Sequence, residues 1–215
     1  MIGLIRVLTT EDPSIRDAHG KQITARYGLT VKSVCILDQP RGIYDEQSER
    51  VATPKVLELA ARLEAGGAEA IIISCAADPA LPEARRLLKI PVIGAGSAAA
   101  GVALTLGERV GVLNLVESTP DAVRSVLGDH LVGEARPAGV RDTTDLLAPS
   151  SQEAAAEAAR RLVKEKGADV IVLACTGYAT VRMADRLRPL LGIPVVDPVD
   201  AAGAVAWIAT RGKRP

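Results

Sequence analysis

One apolar segment of this chain occurs twice. Gly67-Ala68-Glu69-Ala70-Ile71-Ile72-Ile73-Ser74-Cys75 is echoed by Gly167-Ala168-Asp169-Val170-Ile171-Val172-Leu173-Ala174-Cys175. The echo continues in Arg86-Leu87-Leu88-Lys89-Ile90-Pro91-Val92 and Pro189-Leu190-Leu191-Gly192-Ile193-Pro194-Val195, each followed by an Ala-rich helical stretch. A short run of β-branched and aliphatic residues behind a glycine reads as a strand buried on both faces, the strand type of parallel sheets covered by helices. The duplication therefore points to one α/β half-unit used twice, each copy ending its strand in a cysteine. Ligands of open α/β sheets sit outside the carboxyl ends of the strands. Two such halves facing one another would bring Cys75 and Cys175 to a single cleft.

Short apolar runs alternate with helical patterns along nearly the whole chain, as expected of α/β units around a mostly parallel sheet. Strands are predicted at Ile2–Leu8, Leu29–Leu37, Ala70–Ser74, Pro91–Gly94, Val110–Leu115, Val170–Ala174 and Pro194–Asp197. Helix starts are predicted at Thr53-Pro54, Asp78-Pro79 and Thr119-Pro120, where a capping side chain precedes a proline at the first helical position. Ser150 with Glu153 reads as a capping box, and Lys166-Gly167 as the end of the helix it opens. Pro40–Tyr44 and Arg136–Thr144 read as loops.

Composition narrows the function. The 26 Lys and Arg residues balance 26 Asp and Glu, and there is no Phe and one Trp. That argues against nucleic-acid binding, which calls for a basic surface or stacking aromatics. No apolar run approaches the roughly 18 residues of a membrane span. Met1 leads straight into a strand-like segment, so no signal peptide is expected. Three widely spaced cysteines, Cys35, Cys75 and Cys175, fit neither a disulfide framework nor a metal clamp. His19 and His130 are the two histidines, neither near a cysteine in sequence. No metal or cofactor is expected, and the expected location is the cytoplasm.

A cysteine at the end of a buried strand is, taken alone, more often a small core residue than a reactive one. Cys35, inside Val34-Cys35-Ile36-Leu37, is read that way. Cys75 and Cys175 differ because they are in register across the repeat and are followed by small or polar residues. Such neighbours leave backbone N–H groups free for a substrate oxygen, and a helix N-terminus favours the thiolate. Two thiols on opposite walls suit one reaction in particular. One removes a proton from carbon on one face, and the other returns a proton to the opposite face. The enolate-like intermediate needs preorganised donors around its oxygen.

Ser74-Cys75-Ala76-Ala77-Asp78-Pro79, Ala174-Cys175-Thr176-Gly177-Tyr178 and Val196-Asp197-Pro198-Val199-Asp200-Ala201-Ala202 resemble the aspartate/glutamate/hydantoin racemase superfamily. The resemblance runs from about Gly42 to Gly212. It is nearest to the hydantoin racemases in the Cys-x-x-Asp-Pro stretch, while the Cys-Thr-x-Tyr stretch is nearer the glutamate racemase form. It implies two pseudo-symmetric α/β domains with mostly parallel sheets and an active site in the interdomain cleft. Residues 1–107 with 200–215 would form one domain and 108–199 the other. It also implies cofactor-independent racemisation, with Cys75 and Cys175 as the acid/base pair. The first strand departs from the hydantoin racemase pattern, because Val7-Leu8-Thr9-Thr10 stands where Asn-Pro-Asn-Thr would be.

The substrate is expected to be a small carbon acid such as a 5-substituted hydantoin or an amino acid. Thr9, Thr10, Ala76, Ser97, Asn114, Thr176 and Gly177 are the candidate substrate-binding residues, and a homo-oligomer is the expected assembly. Asp78 reads either as a helix cap or as a group orienting the first site. Arg6 interrupts an apolar strand and reads as a structural ion pair or as solvent-facing on an edge strand. A substrate role for it would favour a carboxylate over a neutral hydantoin. Rival readings are an arylmalonate-type decarboxylase or maleate-type isomerase on the same fold, and a non-catalytic binding protein. A third is an NAD(P)-dependent oxidoreductase, drawn from Gly94-Ala95-Gly96-Ser97-Ala98-Ala99, which imitates a dinucleotide-binding loop.

Overall fold

The computed structural model describes residues 1–115 and 117–211, the side chain of Arg211 excepted. The expected first domain and the racemase resemblance both extend past 211, and that part lies outside the described residues. Strands β1 (Ile2–Arg6), β2 (Val31–Cys35), β3 (Ala70–Ser74) and β4 (Val92–Gly94) form one sheet in the order β2-β1-β3-β4. Strands β5 (Val110–Leu113), β6 (Leu131–Ala135), β7 (Val170–Leu173) and β8 (Val195–Val196) form a second in the order β6-β5-β7-β8. All pairings are parallel. The two sheets therefore repeat one topology, and the cysteines follow equivalent strands, β3 and β7.

The same packing requirement recurs in both halves. A Cβ on Gly3 would lie 2.8 Å from Ile71 Cδ1 and 2.9 Å from Leu63 Cδ1. One on Gly111 would lie 2.9 Å from both Ile171 Cδ1 and Ala168 Cβ, with Leu162 Cβ at 3.2 Å. Each central strand thus gives up a side chain so that the crossover helix, Glu46–Ala65 or Pro149–Lys166, can lie against its sheet. The helix Ala95–Ala103 packs against the helices Asp121–Leu127 and Pro198–Arg211 and against β7, which joins the halves through small side chains. The helix Pro198–Arg211 returns to the first sheet and lies against β3, β4 and the helix Ala18–Tyr27.

Several expected boundaries move. The helix expected at Thr53-Pro54 runs from Glu46 to Ala65 with Pro54 inside it. The capping box of Asp45 and Ser48 opens it earlier, and the buried stripe of Ala52, Val56, Ala60 and Leu63 carries it past the proline. The Asp121–Leu127 helix begins after Pro120, and the Thr119 hydroxyl donates instead to Asn114 Oδ1. The Pro149–Lys166 helix is capped at Ala148 without a side-chain bond, so Ser150 and Glu153 form no capping box, while Gly167 closes it in the left-handed conformation as expected. Strand β6 is absent from the expected strands, because Leu-Val-Gly-Glu-Ala lacks an apolar run and lies half-buried at a sheet edge. Cys35 is also only half-buried, since β2 is an edge strand.

Asp197 joins β8 to the last helix, accepting from the N–H groups of Val199 at 2.8 Å and Asp200 at 3.1 Å. Burial first, and the neighbouring Asp200 second, push its carboxyl up to about 6. A carboxyl whose folded value is raised is most favourable to folding below its unfolded value of about 3.9, and that contribution is lost as pH rises through the folded value. Asp197→Asn keeps a capping side chain and removes the titration. Between about pH 4 and pH 7 the wild type is therefore expected to lose up to about 3 kcal/mol relative to Asp197→Asn. Urea unfolding of both proteins across this window checks it, and parallel pH profiles would contradict it.

Candidate active site

Cys75 and Cys175 emerge just past the carboxyl ends of β3 and β7, where both chains turn in the same way. The carbonyl of each cysteine accepts from the N–H three residues on, Asp78 in one copy and Tyr178 in the other, both at 3.2 Å. Each sulfur also meets the N–H two residues on. Gly177 N–H donates to Cys175 Sγ at 3.3 Å, and Ala77 N–H favours the thiolate of Cys75. Both cysteines line one cavity of about 490 Å³ between the two sheets, together with Arg6, Ser74, Ala76 and Thr176.

A buried polar strap fixes the spacing of the two walls. The Thr176 hydroxyl donates to the Ser74 carbonyl at 3.1 Å. His19 lies between Ser74 Oγ at 2.8 Å from Nδ1 and Thr180 Oγ1 at 3.1 Å from Nε2. Burial, with the charge of Arg6 second, lowers the basicity of His19, so the ring stays neutral and acts as a spacer. Residues adjoining both cysteines are thereby tied across the sheets.

The loop after Cys75 is held by a second device. Asp78 and Ala80 both adopt left-handed backbone, at φ 51° and 59°. The helix expected at Asp78-Pro79 starts only at Leu81, with Ala80 as its cap. Asp78 does cap a helix, but a distant one. Its carboxylate accepts from the N–H groups of Gly96 at 2.7 Å and Ser97 at 2.8 Å, at the start of Ala95–Ala103. This accounts for the glycines that imitate a dinucleotide loop. A Cβ on Gly94 would lie 2.2 Å from Asp78 Oδ2, and one on Gly96 would lie 2.0 Å from the Ala76 carbonyl oxygen. The helix N-terminus that would hold a phosphate already holds an internal carboxylate, so the residues present do not fit a dinucleotide.

Burial raises both thiols, Cys75 further than Cys175. At Cys175 the N–H groups of Gly177 and Tyr178, the Thr143 hydroxyl 4.0 Å away and the charge of Arg6 pull back toward the thiolate. At Cys75 the Ala77 N–H acts against the charges of Cys175, Asp78 and Glu49. Cys175 is thus the more readily ionised. Iodoacetamide is expected to label Cys175 ahead of Cys75, faster as pH rises past the ordinary thiol value of about 8.5. Peptide mapping reads the order, and earlier labelling of Cys75 would contradict it.

The remaining predicted residues divide into three groups. Ala76 and Thr176 line the cavity. Thr9, Thr10 and Gly177 line a smaller space of about 110 Å³, which shares Arg6, Leu8 and Thr143 with the first. The Thr9 hydroxyl is already committed, donating to the Ile36 carbonyl and accepting from Gln39 N–H, and that of Thr10 accepts from Asp12 N–H. Ser97 and Asn114 line neither space. Ser97 N–H serves Asp78, and Asn114 Oδ1 accepts from Thr119, which does reach the cavity. Sequence reading missed Tyr44, Glu49, Thr119 and Thr143 as lining residues, since they arrive on segments far from either cysteine motif.

Arg6 departs from both expectations. Strand β1 is interior, Arg6 is 2% exposed, and among the described residues it forms no ion pair. Its Nη1 donates to the Ile15 carbonyl and, at 3.4 Å, to that of Arg16.

Comparison with known proteins gives the arrangement its family. The family model for Asp/Glu/Hydantoin racemase matches residues 15–206. A hydantoin racemase of Rhizobium meliloti is 33% identical over 176 residues, which span 79% of this chain and 71% of that protein. An allantoin racemase from Klebsiella pneumoniae superposes with a TM-score of 0.83 at 28% identity, over 95% of this chain and 84% of that one. An allantoin racemase from Pseudomonas fluorescens shares the fold with a TM-score of 0.85 at 24% identity, over 98% and 90% of the two chains. The duplicated half-unit is thus a racemase fold, and the chain belongs to the Asp/Glu/Hydantoin racemase family and is an isomerase of the racemase type.

Proposed function

We propose that this protein inverts a small carbon acid beside a carbonyl, a 5-substituted hydantoin or an amino acid, by a two-thiol mechanism without a cofactor. The observation that carries the reading is that Cys75 and Cys175, at equivalent strand ends, line one cavity, each sulfur facing the N–H two residues on. The Cys175 thiolate takes the proton from the stereocentre, so that the C–H bond breaks and an S–H bond forms. The electron pair moves onto the carbonyl oxygen. The Cys75 thiol then delivers its proton to the opposite face, which restores the C–H bond with inverted configuration and leaves Cys75 as the thiolate. The mirror-image substrate runs the same steps in reverse, and exchange with water resets the sulfurs.

The Thr176, Ser74 and His19 strap supports the reading, because a proton relay through two groups needs them at a fixed separation. The three free cysteines fit a reducing compartment such as the cytoplasm. Chiral chromatography of single enantiomers of hydantoins and amino acids, in the presence of a chelator, tests the proposal. Racemisation that stops on alkylation of the protein supports it, and racemisation that survives complete alkylation of both cysteines rules it out.

A further inference from the structure

Arg6 carries a charge that the fold itself does not balance. It ends an interior strand, is 2% exposed and donates through Nη1 alone, to two backbone carbonyls. Its Nε and Nη2 have no acceptor among the described residues. Among those residues the one fully enclosed side-chain polar atom without a partner is Gln39 Oε1. The unpaired Arg6 nitrogens are therefore not sealed in the core. They open onto the cavity and the smaller adjoining space, both of which Arg6 lines.

Burying a guanidinium without an anion is strongly unfavourable, and an unpaired donor fork matches a carboxylate in bidentate geometry. Arg6 is also the sole basic side chain among the residues lining the cavity, where Asp45, Glu46, Glu49, Glu117 and Asp121 contribute carboxylates. The cavity thus offers a single seat for an anion, beside Cys175, whose thiolate the same guanidinium favours. Burial lowers the Arg6 value only to about 10, so the charge persists at neutral pH.

We infer that Arg6 receives a carboxylate on the reacting carbon of the substrate, so that the substrate is an α-amino acid or an N-carbamoyl α-amino acid rather than an uncharged hydantoin. The inference rests on the two-thiol reading above and makes it specific. When Cys175 takes the proton, the electron pair moves onto that carboxylate, and the enediolate so formed carries a second negative charge. Arg6 pairs with the oxygens that gain it, so its contribution is larger in the transition state than in the ground state.

The test has two arms. In the first, wild type, Arg6→Lys and Arg6→Gln are compared in deuterated water on α-amino acids, N-carbamoyl amino acids and uncharged 5-substituted hydantoins. Deuterium is expected at the stereocentre of one of the carboxylates and not of the hydantoins. Arg6→Gln is expected to lower kcat/KM at least about 100-fold, with most of the loss in kcat and partial recovery in Arg6→Lys. Wild-type exchange that favours the hydantoins, or an Arg6→Gln variant as active on carboxylates as the parent, overturns the inference.

The second arm needs neither turnover nor a variant. Malonate, but not malonamide, is expected to slow iodoacetamide labelling of Cys175 in the wild type. Equal protection by the two, or protection by neither, overturns the inference even where an Arg6 variant fails to fold. Failure of the two-thiol reading looks different: malonate protects, yet Cys175→Ser still racemises.

Discussion

Cys175→Ser is expected to lower racemisation about 100- to 10,000-fold in both directions, and Cys75→Ser to do the same, the range a positioned acid or base contributes. A serine hydroxyl preserves the size of the group and nearly all of its hydrogen bonds, so the fold should stand while the proton chemistry fails. In the proposed relay both directions suffer, because each sulfur would serve as base for one enantiomer and as acid for the other. Circular dichroism should match the wild type, and thermal midpoints should agree within about 4 °C, as is usual for a substitution worth less than about 1 kcal/mol. A variant that keeps the parent rate in one direction would show that its sulfur is not part of the relay.

The second large effect is predicted far from the reacting carbon in sequence. Asp78→Ala removes the acceptor of two buried helix N–H groups, those of Gly96 and Ser97. Leaving both unpaired should cost about 2–4 kcal/mol, which corresponds to roughly 2–4 °C in Tm per kcal/mol for a chain of this size. The carboxylate also holds the Cys75 loop in its unusual backbone, with Asp78 and Ala80 both left-handed. Conformations of this kind cost on the order of 1–3 kcal/mol each and persist only where their surroundings enforce them. Releasing the loop should displace the Cys75 sulfur and lower kcat about 100-fold, the effect of a misplacement near 1 Å. Gly96→Ala should displace the loop from the other side, since its Cβ would meet the Ala76 carbonyl at 2.0 Å. Calorimetry with steady-state kinetics checks both. An Asp78→Ala protein as stable and as active as the parent would show that the cap neither holds the loop nor positions the sulfur.

What the sequence disclosed follows from where the information lies. The strands that carry the cysteines are continuous apolar runs, visible as a repeat, and their glycines and prolines mark the ends. Cys75 and Cys175 could therefore be placed at strand ends from local pattern alone. Other features depend on partners distant along the chain. Asp78 was recognisable as a capping residue, yet the helix it caps starts at Ala95. Pro54 looked like a helix start because its local signal is strong, while the buried stripe that overrides it extends from Ala52 to Leu63. For Arg6 the sequence suggests an edge strand or an ion pair, because it does not state that β1 lies between β2 and β3. Thr9 and Asn114 lie just past strand ends, but their side chains are spent on Ile36, Gln39 and Thr119. Only the tertiary fold reveals those commitments.

The central claim is that two separate sulfurs serve opposite faces of one carbon. It is tested most directly by starting from a single enantiomer in deuterated water and analysing both enantiomers at early conversion. On that claim the base enters as a thiolate and the acid as a thiol already exchanged to deuterium, so the sulfur that removes protium is not the one that donates. The account predicts that newly formed product carries deuterium at the stereocentre while the remaining starting enantiomer still carries protium. Product that retains the protium of its precursor would mean that a single group serves both faces, which contradicts the account.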